Sequence, residues 1–335
     1  MEKTLENIDF LAVGDIVTDA FIELKEAEAT CDIDHENCKL CVKFGQKIPY
    51  NNVTVVKAVG NAANAAVCAA RLGISSGLRA YIGNDQDGKD CLETLTREKV
   101  STDYMVTEDG QKTNYHYVLQ YGAERTILIK HASFNYSWPK ELTQPKWIYF
   151  SSIAENSLPY HEEVADYLEQ HPDVKLAFQP GTFQIKMGSV TLARIYKNTY
   201  VFFCNKEEAQ QILSTPEMHD MKSLLAGIHA LGPKIAVISD GPNGAYASDG
   251  NTVWSIPMYP DPMPPISRTG AGDAFSTTFV VALMLGKIIP EALTWGPINS
   301  MSVVQQIGAQ KGLLSREELE EYLDNAPKDY KVTIL

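Results

Sequence analysis

The sequence lacks a long hydrophobic stretch. Its longest uninterrupted apolar run, residues 279–285, is far too short to span a bilayer, and the acidic first residues contain no signal-peptide apolar core. Positive charge is also scarce: a net charge of −13 argues against general affinity for nucleic acid or anionic membranes. These absences predict a cytoplasmic protein with no nucleic-acid or membrane partner.

Internal repeats and low-complexity segments do not stand out either, so we do not expect an array of repeats. The 335 residues allow one large domain or two small ones, and the 44% of hydrophobic residues can form a sizeable core. The six cysteines are not set in a small secreted scaffold, which leads us to expect reduced thiols.

The most informative stretch is 267–275, Ser-Arg-Thr-Gly-Ala-Gly-Asp-Ala-Phe. Gly270 and Gly272 allow a tight turn, and the apolar residues that follow predict a buried helix. The free amides at the start of a helix attract anions, and Asp273 would lie in the first turn beside them. This arrangement suits phosphoryl transfer to an alcohol, because amides stabilise the phosphate and a carboxylate accepts the hydroxyl proton. A plain helix cap with a first-turn acid explains residues 270–273 equally well.

The flanking residues favour the first interpretation. Thr-Gly-Ala-Gly-Asp-Ala-Phe resembles the C-terminal signature of the ribokinase-like (pfkB-type) carbohydrate kinases. Four other segments resemble motifs of that family in the same order, namely residues 13–19, 59–64, 82–88 and 205–208. The resemblance implies a three-layer α/β/α fold with a mostly parallel central sheet and a small β-sheet lid. Strands that alternate with helices along the chain independently predict a mostly parallel sheet.

The resemblance also implies roles for individual residues. Asp273 would be the general base, and an anion cradle would be formed by Gly270, Ala271 and Gly272. The acceptor hydroxyls would be bound by Asp15, Asp19, Gly60, Asn61 and Asn64. ATP would be bound by Asn205, Glu208, Ser239, Gly241, Gly244, Thr269 and Asn299, with Mg²⁺ held through water by Glu208.

For several of these residues, the local sequence pattern is also consistent with a purely structural role. Asp19 could be an ordinary turn carboxylate, and Asn205 with Glu208 could be a helix cap with a first-turn acid. The sequence also departs from the family pattern. Val59 replaces a glycine, Ser267 replaces an aspartate, and Arg268 stands where the family has a threonine or a small residue.

A segment rich in cysteine interrupts the chain near its N-terminus. Three cysteines and one histidine fall within eleven residues, at Cys31, His35, Cys38 and Cys41. This ligand set predicts a structural zinc site, although the spacing is not that of a standard zinc finger. The alternative is an irregular loop with free thiols.

We expect a core made of residues 1–20 and 60–335 that binds nucleotide and acceptor. Residues 21–59 are expected to form a β-rich lid insertion, to which part of 114–130 contributes. The family uses this lid over the sugar and in some members as a dimer interface, so a homodimer through the lid is a further expectation.

Three functions remain open from the sequence. The first is an ATP-dependent kinase that phosphorylates a hydroxymethyl group of a sugar or a nucleoside, or alternatively a sugar phosphate. The second is a sugar- or nucleoside-binding protein of the same fold with impaired catalysis, as the changes at Ser267 and Arg268 would allow. The third, a zinc-dependent interaction module, depends only on the cysteine cluster.

Overall fold

The structure is a computed structural model that describes residues 5–31, 38–122 and 124–335. The strands are β1 (Phe10–Val13), β2 (Val17–Leu24), β3 (Glu28–Thr30), β4 (Lys39–Cys41), β5 (Tyr50–Val59), β6 (Ser76–Arg79), β7 (Tyr81–Gly83), β8 (Val106–Glu108), β9 (Asn114–Tyr121), β10 (Glu124–Leu128), β11 (Trp147–Phe150), β12 (Lys175–Phe178), β13 (Thr199–Asn205), β14 (Ile235–Ser239), β15 (Ala245–Ser248), β16 (Val253–Ile256) and β17 (Thr333–Ile334). The helices are α1 (Asn61–Arg71), α2 (Gln86–Arg97), α3 (Leu158–Gln170), α4 (Thr182–Met187), α5 (Ala193–Asn198), α6 (Lys206–Leu213), α7 (Met221–Ala230), α8 (Ala271–Met284), α9 (Ile289–Val304) and α10 (Arg316–Asp324).

A large, mostly parallel sheet forms the centre of the fold. Its strand order is β17-β16-β15-β14-β13-β12-β11-β1-β6. The strands from β14 to β6 pair in parallel, and β15 to β17 extend the sheet with antiparallel pairs. The central strands are buried along their whole length because separate apolar clusters cover the two faces of the sheet. The predicted three-layer α/β/α fold is confirmed.

A second, smaller sheet has the order β10-β9-β2-β5. Its strands come from two separate parts of the chain, since β2 and β5 precede the first helix whereas β9 and β10 follow the second. Within it β2 pairs in parallel with β9, and this register places Asp19 opposite His116. We call this assembly the small sheet.

One predicted strand is divided in the structure. The sequence predicts a single strand over residues 76–83, whereas β6 belongs to the central sheet and β7 pairs with β8 instead. Both pieces are fully buried, so their hydrophobic pattern contains no sign of the change of partner. The helix that follows begins where Asp85 accepts a hydrogen bond from the Gly88 amide at 3.0 Å, as an N-cap residue does.

The zinc prediction is wrong in this structure. The sulfur atoms of Cys31 and Cys38 are bonded to each other, which removes two of the four predicted ligands, and His35 lies outside the described residues. Throughout the described part of the chain, no three His, Cys, Asp or Glu side chains are grouped to hold a metal. The expectation of reduced thiols is corrected for this pair, while Cys41, Cys68, Cys91 and Cys204 are free thiols. Across the same described residues, no helix combines the length and apolar character needed to cross a membrane.

Candidate active site

The main cavity lies where parallel strands of the central sheet end. It has a volume of about 760 Å³. Its wall includes one residue just beyond, or at, the carboxyl end of each of five neighbouring strands: Asp15, Ser152, Gln179, Asn205 and Ser239. In open α/β sheets, ligands bind in the crevice outside these strand ends. The topology therefore makes this cavity the candidate ligand-binding site.

Helix α8 points its N-terminus into this cavity. Gly270 adopts a left-handed conformation with φ +85°, which glycine alone adopts without strain. The first amides of a helix have no acceptor within the helix, so those at the start of α8 are available to an anion in the cavity. The structure brings Thr269, Gly270, Gly272 and Asp273 together in the cavity wall, as the sequence predicts.

Asp273 is buried and held by three amide groups. Asn61 and Gln179 donate to its Oδ1 at 2.7 and 3.1 Å, and Asn64 donates to its Oδ2 at 2.7 Å. Burial raises the pKa of Asp273, and the three amide hydrogen bonds oppose that rise. The result is a desolvated carboxylate in a fixed orientation, which is what a general base requires.

Gln179 also lies in the cavity wall, although the sequence assigned it no role. Its Oε1 accepts hydrogen bonds from the hydroxyls of Ser276, at 2.6 Å, and Tyr149. These bonds fix the amide so that Nε2 faces Asp273. The position of Gln179 directly after β12 was the available signal, because Asp15 and Asn205 occupy similar places at the ends of their strands.

The cavity wall also contains Asp15 and Asp19, together with two histidines that the sequence did not single out. His131 Nδ1 lies 2.8 Å from Asp15 Oδ2, and His116 Nδ1 lies 3.4 Å from Asp19 Oδ1. Tyr136 donates its hydroxyl proton to Asp15 Oδ1 at 2.8 Å. No local pattern could have found these contacts, because they depend on the pairing of β2 with β9 and on the path of the chain after β10.

Gly60 lines the same cavity as Asp15 and Asp19. A Cβ atom at Gly60, where φ is +104°, would be 2.8 Å from the Asp15 carbonyl oxygen. Glycine at this position therefore permits the close approach of the two segments that carry the predicted acceptor residues.

Asn205 and Glu208 form a capping box at the start of α6 and also line the cavity. Asn205 Oδ1 accepts from the Glu208 amide at 2.7 Å, and Glu208 Oε2 accepts from the Asn205 amide at 2.8 Å. Burial raises the pKa of Glu208, and the hydrogen bond from Asn205 opposes this rise. The helix-cap interpretation is therefore correct as local structure, and the carboxylate still faces the cleft.

A second cavity of about 420 Å³ adjoins the first. The two share the wall residues Ser239, Gly241, Pro242, Arg268, Gly272 and Phe275. Gly244 and Ala271 line only the second cavity. The two cavities together form one elongated cleft with the N-terminus of α8 at its middle.

Asn299 is the predicted nucleotide residue that the structure does not bring to this cleft. It is completely buried, donates to Thr278 Oγ1 at 2.8 Å and accepts from the Leu314 amide at 3.0 Å. The prediction for Asn299 is therefore corrected to a structural role. Its neighbours Pro297, Ser300 and Met301 line the second cavity instead.

Comparisons with known proteins agree with the fold. The family model described as pfkB family carbohydrate kinase matches residues 25–316. A protein of Bacillus subtilis named ribokinase is 31% identical over 79% of this chain and 87% of its own length. A 5-dehydro-2-deoxygluconokinase of Halalkalibacterium halodurans is 25% identical over 82% of this chain and 87% of its own length. Arabidopsis thaliana ribokinase, solved in complex with ribose and ATP, superimposes with a TM-score of 0.78 and 20% identity, covering 95% of this chain and 99% of that one. The chain belongs to the pfkB family of carbohydrate kinases.

Proposed function

We propose that this protein is an ATP-dependent kinase that phosphorylates a hydroxymethyl group of an unphosphorylated sugar or nucleoside. One observation carries the proposal: Asp273 is a buried carboxylate at the N-terminus of α8, midway along a cleft with polar residues at both ends. The likeness to the Bacillus subtilis protein named ribokinase supports the choice of a sugar as acceptor. The Arabidopsis thaliana ribokinase, solved with ribose and ATP, supports the choice of ATP as phosphate donor.

The chemistry assigned to the site is an in-line displacement. Asp273 accepts the proton of the attacking hydroxyl, whose oxygen forms a bond to the γ-phosphorus while the bond from that phosphorus to the bridging β,γ-oxygen breaks and ADP leaves. Amides at residues 270–272 hold the charge of the transferred group. Positioning and electrostatics supply most of the rate in such reactions.

Magnesium fits the part of the cleft near Glu208 that is proposed to bind the nucleotide phosphates. Glu208 is a carboxylate in the cavity wall, and its Oε2 is used by the capping box, so Oε1 remains for a further partner. One or two carboxylates together with phosphate oxygens and water are the usual ligands of Mg²⁺ in kinases. When bound, the ion would neutralise charge on the nucleotide phosphates. Thr269, Ser239, Gly241 and Gly244 complete the proposed nucleotide side.

Residues 21–59, joined by strands β9 and β10 of the small sheet, are proposed to form a lid over the acceptor. The other residues of 1–20 and 60–335 are proposed to form the core that binds both substrates. The β2, β5, β9 and β10 strands of the small sheet leave Val53, Val55, Tyr117 and Leu128 exposed. Burying such apolar side chains would stabilise a homodimer through this sheet. That assembly is a proposal.

The charge of the acceptor end favours an unphosphorylated substrate. A sugar phosphate needs a cationic clamp, preferably of arginine, whereas residues 21–59 contain no arginine and Asp15 and Asp19 add negative charge. Arg125 also lines the cavity, and a sugar-phosphate kinase is the alternative that it supports.

Release of ADP tests the proposal. We expect purified protein with ATP and Mg²⁺ to turn over free sugars or nucleosides and to reject their phosphate esters. Turnover of sugar phosphates alone would contradict the charge argument and direct attention to Arg125. If sugars bind, by calorimetry, but no ADP is released, the protein is instead a binding protein with impaired catalysis, as Ser267 and Arg268 would allow.

We further expect activation by monovalent cations to be weak or absent. Potassium-activated members of the family use a carboxylate six residues before the base, where this chain has Ser267. Ser267 is buried, and its hydroxyl is 3.2 Å from that of Thr269. A neutral hydroxyl is a poorer ligand for a hard cation than a carboxylate. The rate should be measured against KCl with tetramethylammonium chloride holding ionic strength constant, and a strong, saturable requirement for potassium would overturn this expectation.

A further inference from the structure

Gln310 is a buried glutamine that lies behind the wall of the main cavity. Its side chain is only 6% exposed, and it lies outside both cavities, whereas its neighbour Ala309 lines the main one. Its Nε2 donates to the carbonyl oxygen of Ala58 at 2.7 Å and to Oδ1 of Asn64 at 3.1 Å. A side-chain amide nitrogen carries two protons, so both are used.

These two bonds determine which way the amide of Asn64 points. The backbone carbonyl of Ala58 can only accept a hydrogen bond, so Gln310 must present its nitrogen there. The same nitrogen needs an acceptor from Asn64, and Oδ1 of Asn64 therefore faces Gln310. The amide nitrogen of Asn64 is left facing Asp273, and it donates to Oδ2 of that carboxylate at 2.7 Å. A fixed backbone acceptor thus determines which end of the Asn64 amide meets Asp273.

The segment that carries Gln310 is itself fastened to α1, the helix of Asn64. From the last turn of α1, Arg71 donates to the carbonyl oxygens of Gln310 at 2.7 Å and Leu313 at 3.0 Å. Arg71 also donates to both carboxylate oxygens of Glu98, each at 2.9 Å. Hydrogen bonds from a charged group are stronger than neutral ones. The Gln310 side chain is therefore presented to Asn64 from an anchored backbone.

We propose that Gln310 is a positioning residue of the phosphoryl transfer, which acts through Asn64 to keep an amide donor on the carboxylate of Asp273. Without Gln310, the Asn64 amide is free to reverse, and its oxygen would then face a carboxylate oxygen. Two acceptors repel each other, so the carboxylate would lose one of its three donors and its fixed orientation. This inference rests on the proposed role of Asp273 as general base.

The pH profile reports this role because the Asn64 bond acts on the pKa of Asp273. Burial raises that pKa, and among the amide bonds that oppose the rise the one from Asn64 contributes most. The other titratable groups that interact electrostatically with Asp273 are Cys68 on α1, Tyr149 on β11 and Glu208 on α6, none of which is a cation that could replace the donor. Loss of the Asn64 bond therefore raises the pKa further. Since the base works only when deprotonated, the acidic limb of kcat/KM moves to higher pH.

Gln310→Met tests the proposal, because methionine has a similar length and no donor. We expect kcat to fall at least about tenfold and the acidic limb of kcat/KM to move to higher pH, while the KM for ATP changes less than about threefold. Turnover is measured by ADP release with the acceptor that the wild type uses best. Circular dichroism checks folding, and Gln310→Leu takes the place of Gln310→Met if the latter does not fold.

Gln305→Met is the matched control. Gln305 lies in the same connection between α9 and α10 and is about as buried, at 8% exposed, but its Nε2 donates to the carbonyl oxygen of Met263 at 2.9 Å. The same substitution therefore removes a buried amide donor that does not hold Asn64. We expect the acidic limb in Gln305→Met to stay where it is in the wild type. A general loosening of this connection would instead move the limb in both variants, and that result would overturn the role of Gln310.

A double-mutant cycle shows whether Gln310 acts through Asn64. In the Asn64→Ala background, the further change Gln310→Met should alter kcat by less than about threefold, because the donor that Gln310 orients is already absent. If the two substitutions instead lower kcat additively, Gln310 acts independently of Asn64 and the proposal is wrong.

An NMR titration of the Asp273 side-chain carboxyl separates this inference from the kinase proposal. The signal is assigned by its loss in Asp273→Asn, and it reports the pKa of Asp273 without turnover. If the wild type releases no ADP with any sugar or nucleoside, the proposed kinase function fails, whereas a higher Asp273 pKa in Gln310→Met still supports the control of Asn64 by Gln310. The same pKa in wild type and Gln310→Met overturns that control, whether or not the wild type is active.

Discussion

Replacing Asp273 with asparagine is expected to lower kcat by at least about 100-fold while ATP still binds. General bases contribute roughly 10²–10⁴-fold to rates, and Asn cannot accept the hydroxyl proton. The remaining activity would come from the positioning of the two substrates and from the amides of α8, which the substitution leaves in place. Turnover is measured by ADP release, and ATP binding by calorimetry on the same preparations.

The hydrogen bonds around Asp273 also predict that this variant is less stable than the wild type. Asn64, which donates to Oδ2, accepts from Gln310 at 3.1 Å through its own Oδ1, so its amide cannot reverse without losing that bond. An asparagine at 273 would place its amide against one of the surrounding donors. We therefore expect a loss of about 1–3 kcal/mol in the free energy of unfolding, which thermal unfolding would register.

The pH dependence of kcat/KM provides a second test of Asp273 as the general base. Burial raises the pKa of Asp273, so wild-type kcat/KM should fall with decreasing pH at a higher pH than for an exposed aspartate. The base works only when deprotonated, and activity is therefore lost as the pH falls through the raised pKa. In Asp273→Asn that acidic limb should disappear. Near-normal turnover, or the same acidic limb, would show that another group is the base.

The parts of the site that local sequence determines were predicted well. The turn at Gly270 and the capping residues Asn205 and Glu208 lie within single strand-to-helix or loop-to-helix connections, where each conformation follows from a few adjacent residues. The mostly parallel central sheet was also predicted, because strands that alternate with helices along the chain favour this arrangement. The pfkB family assignment followed from the order of several such motifs.

Contacts that depend on distant pairing could not be predicted. His116 meets Asp19 only through the register of β2 with β9, and neither strand's own pattern fixes that register. Asn299 was misplaced for a related reason. Helix α9 is buried over most of its surface, so no amphipathic pattern tells which of its residues face the cleft. The bond between Cys31 and Cys38 was likewise hidden, since cysteine spacing alone does not separate a metal site from a disulfide.

Substitution of Gly270 by alanine should have an effect as large as loss of the base. Gly270 has φ +85°, and a Cβ atom there would lie 2.3 Å from the Cβ and 2.6 Å from the Cα of Ala309. Neither of those atoms belongs to a flexible side-chain end, so the start of α8 or the segment at residue 309 must move. Either shift displaces the amides that are proposed to hold the transferred phosphate. Misplacement by about 1 Å costs on the order of 100-fold in rate, and loss of one donor to a developing charge costs about as much.

Gly286→Ala is the matched control for that experiment. Gly286 follows the other end of α8 with φ +84°, and a Cβ atom there would have no neighbour within 4 Å. Both variants therefore carry left-handed backbone strain, which lowers their stability by about 1–3 kcal/mol. Only Gly270→Ala adds a steric clash at the cleft. We expect kcat/KM to fall at least about 100-fold in Gly270→Ala and to stay within about twofold of wild type in Gly286→Ala, with both variants folded by circular dichroism. If the two variants keep similar activity, the amides of α8 do not form the anion cradle, and the phosphate must be held elsewhere in the cleft.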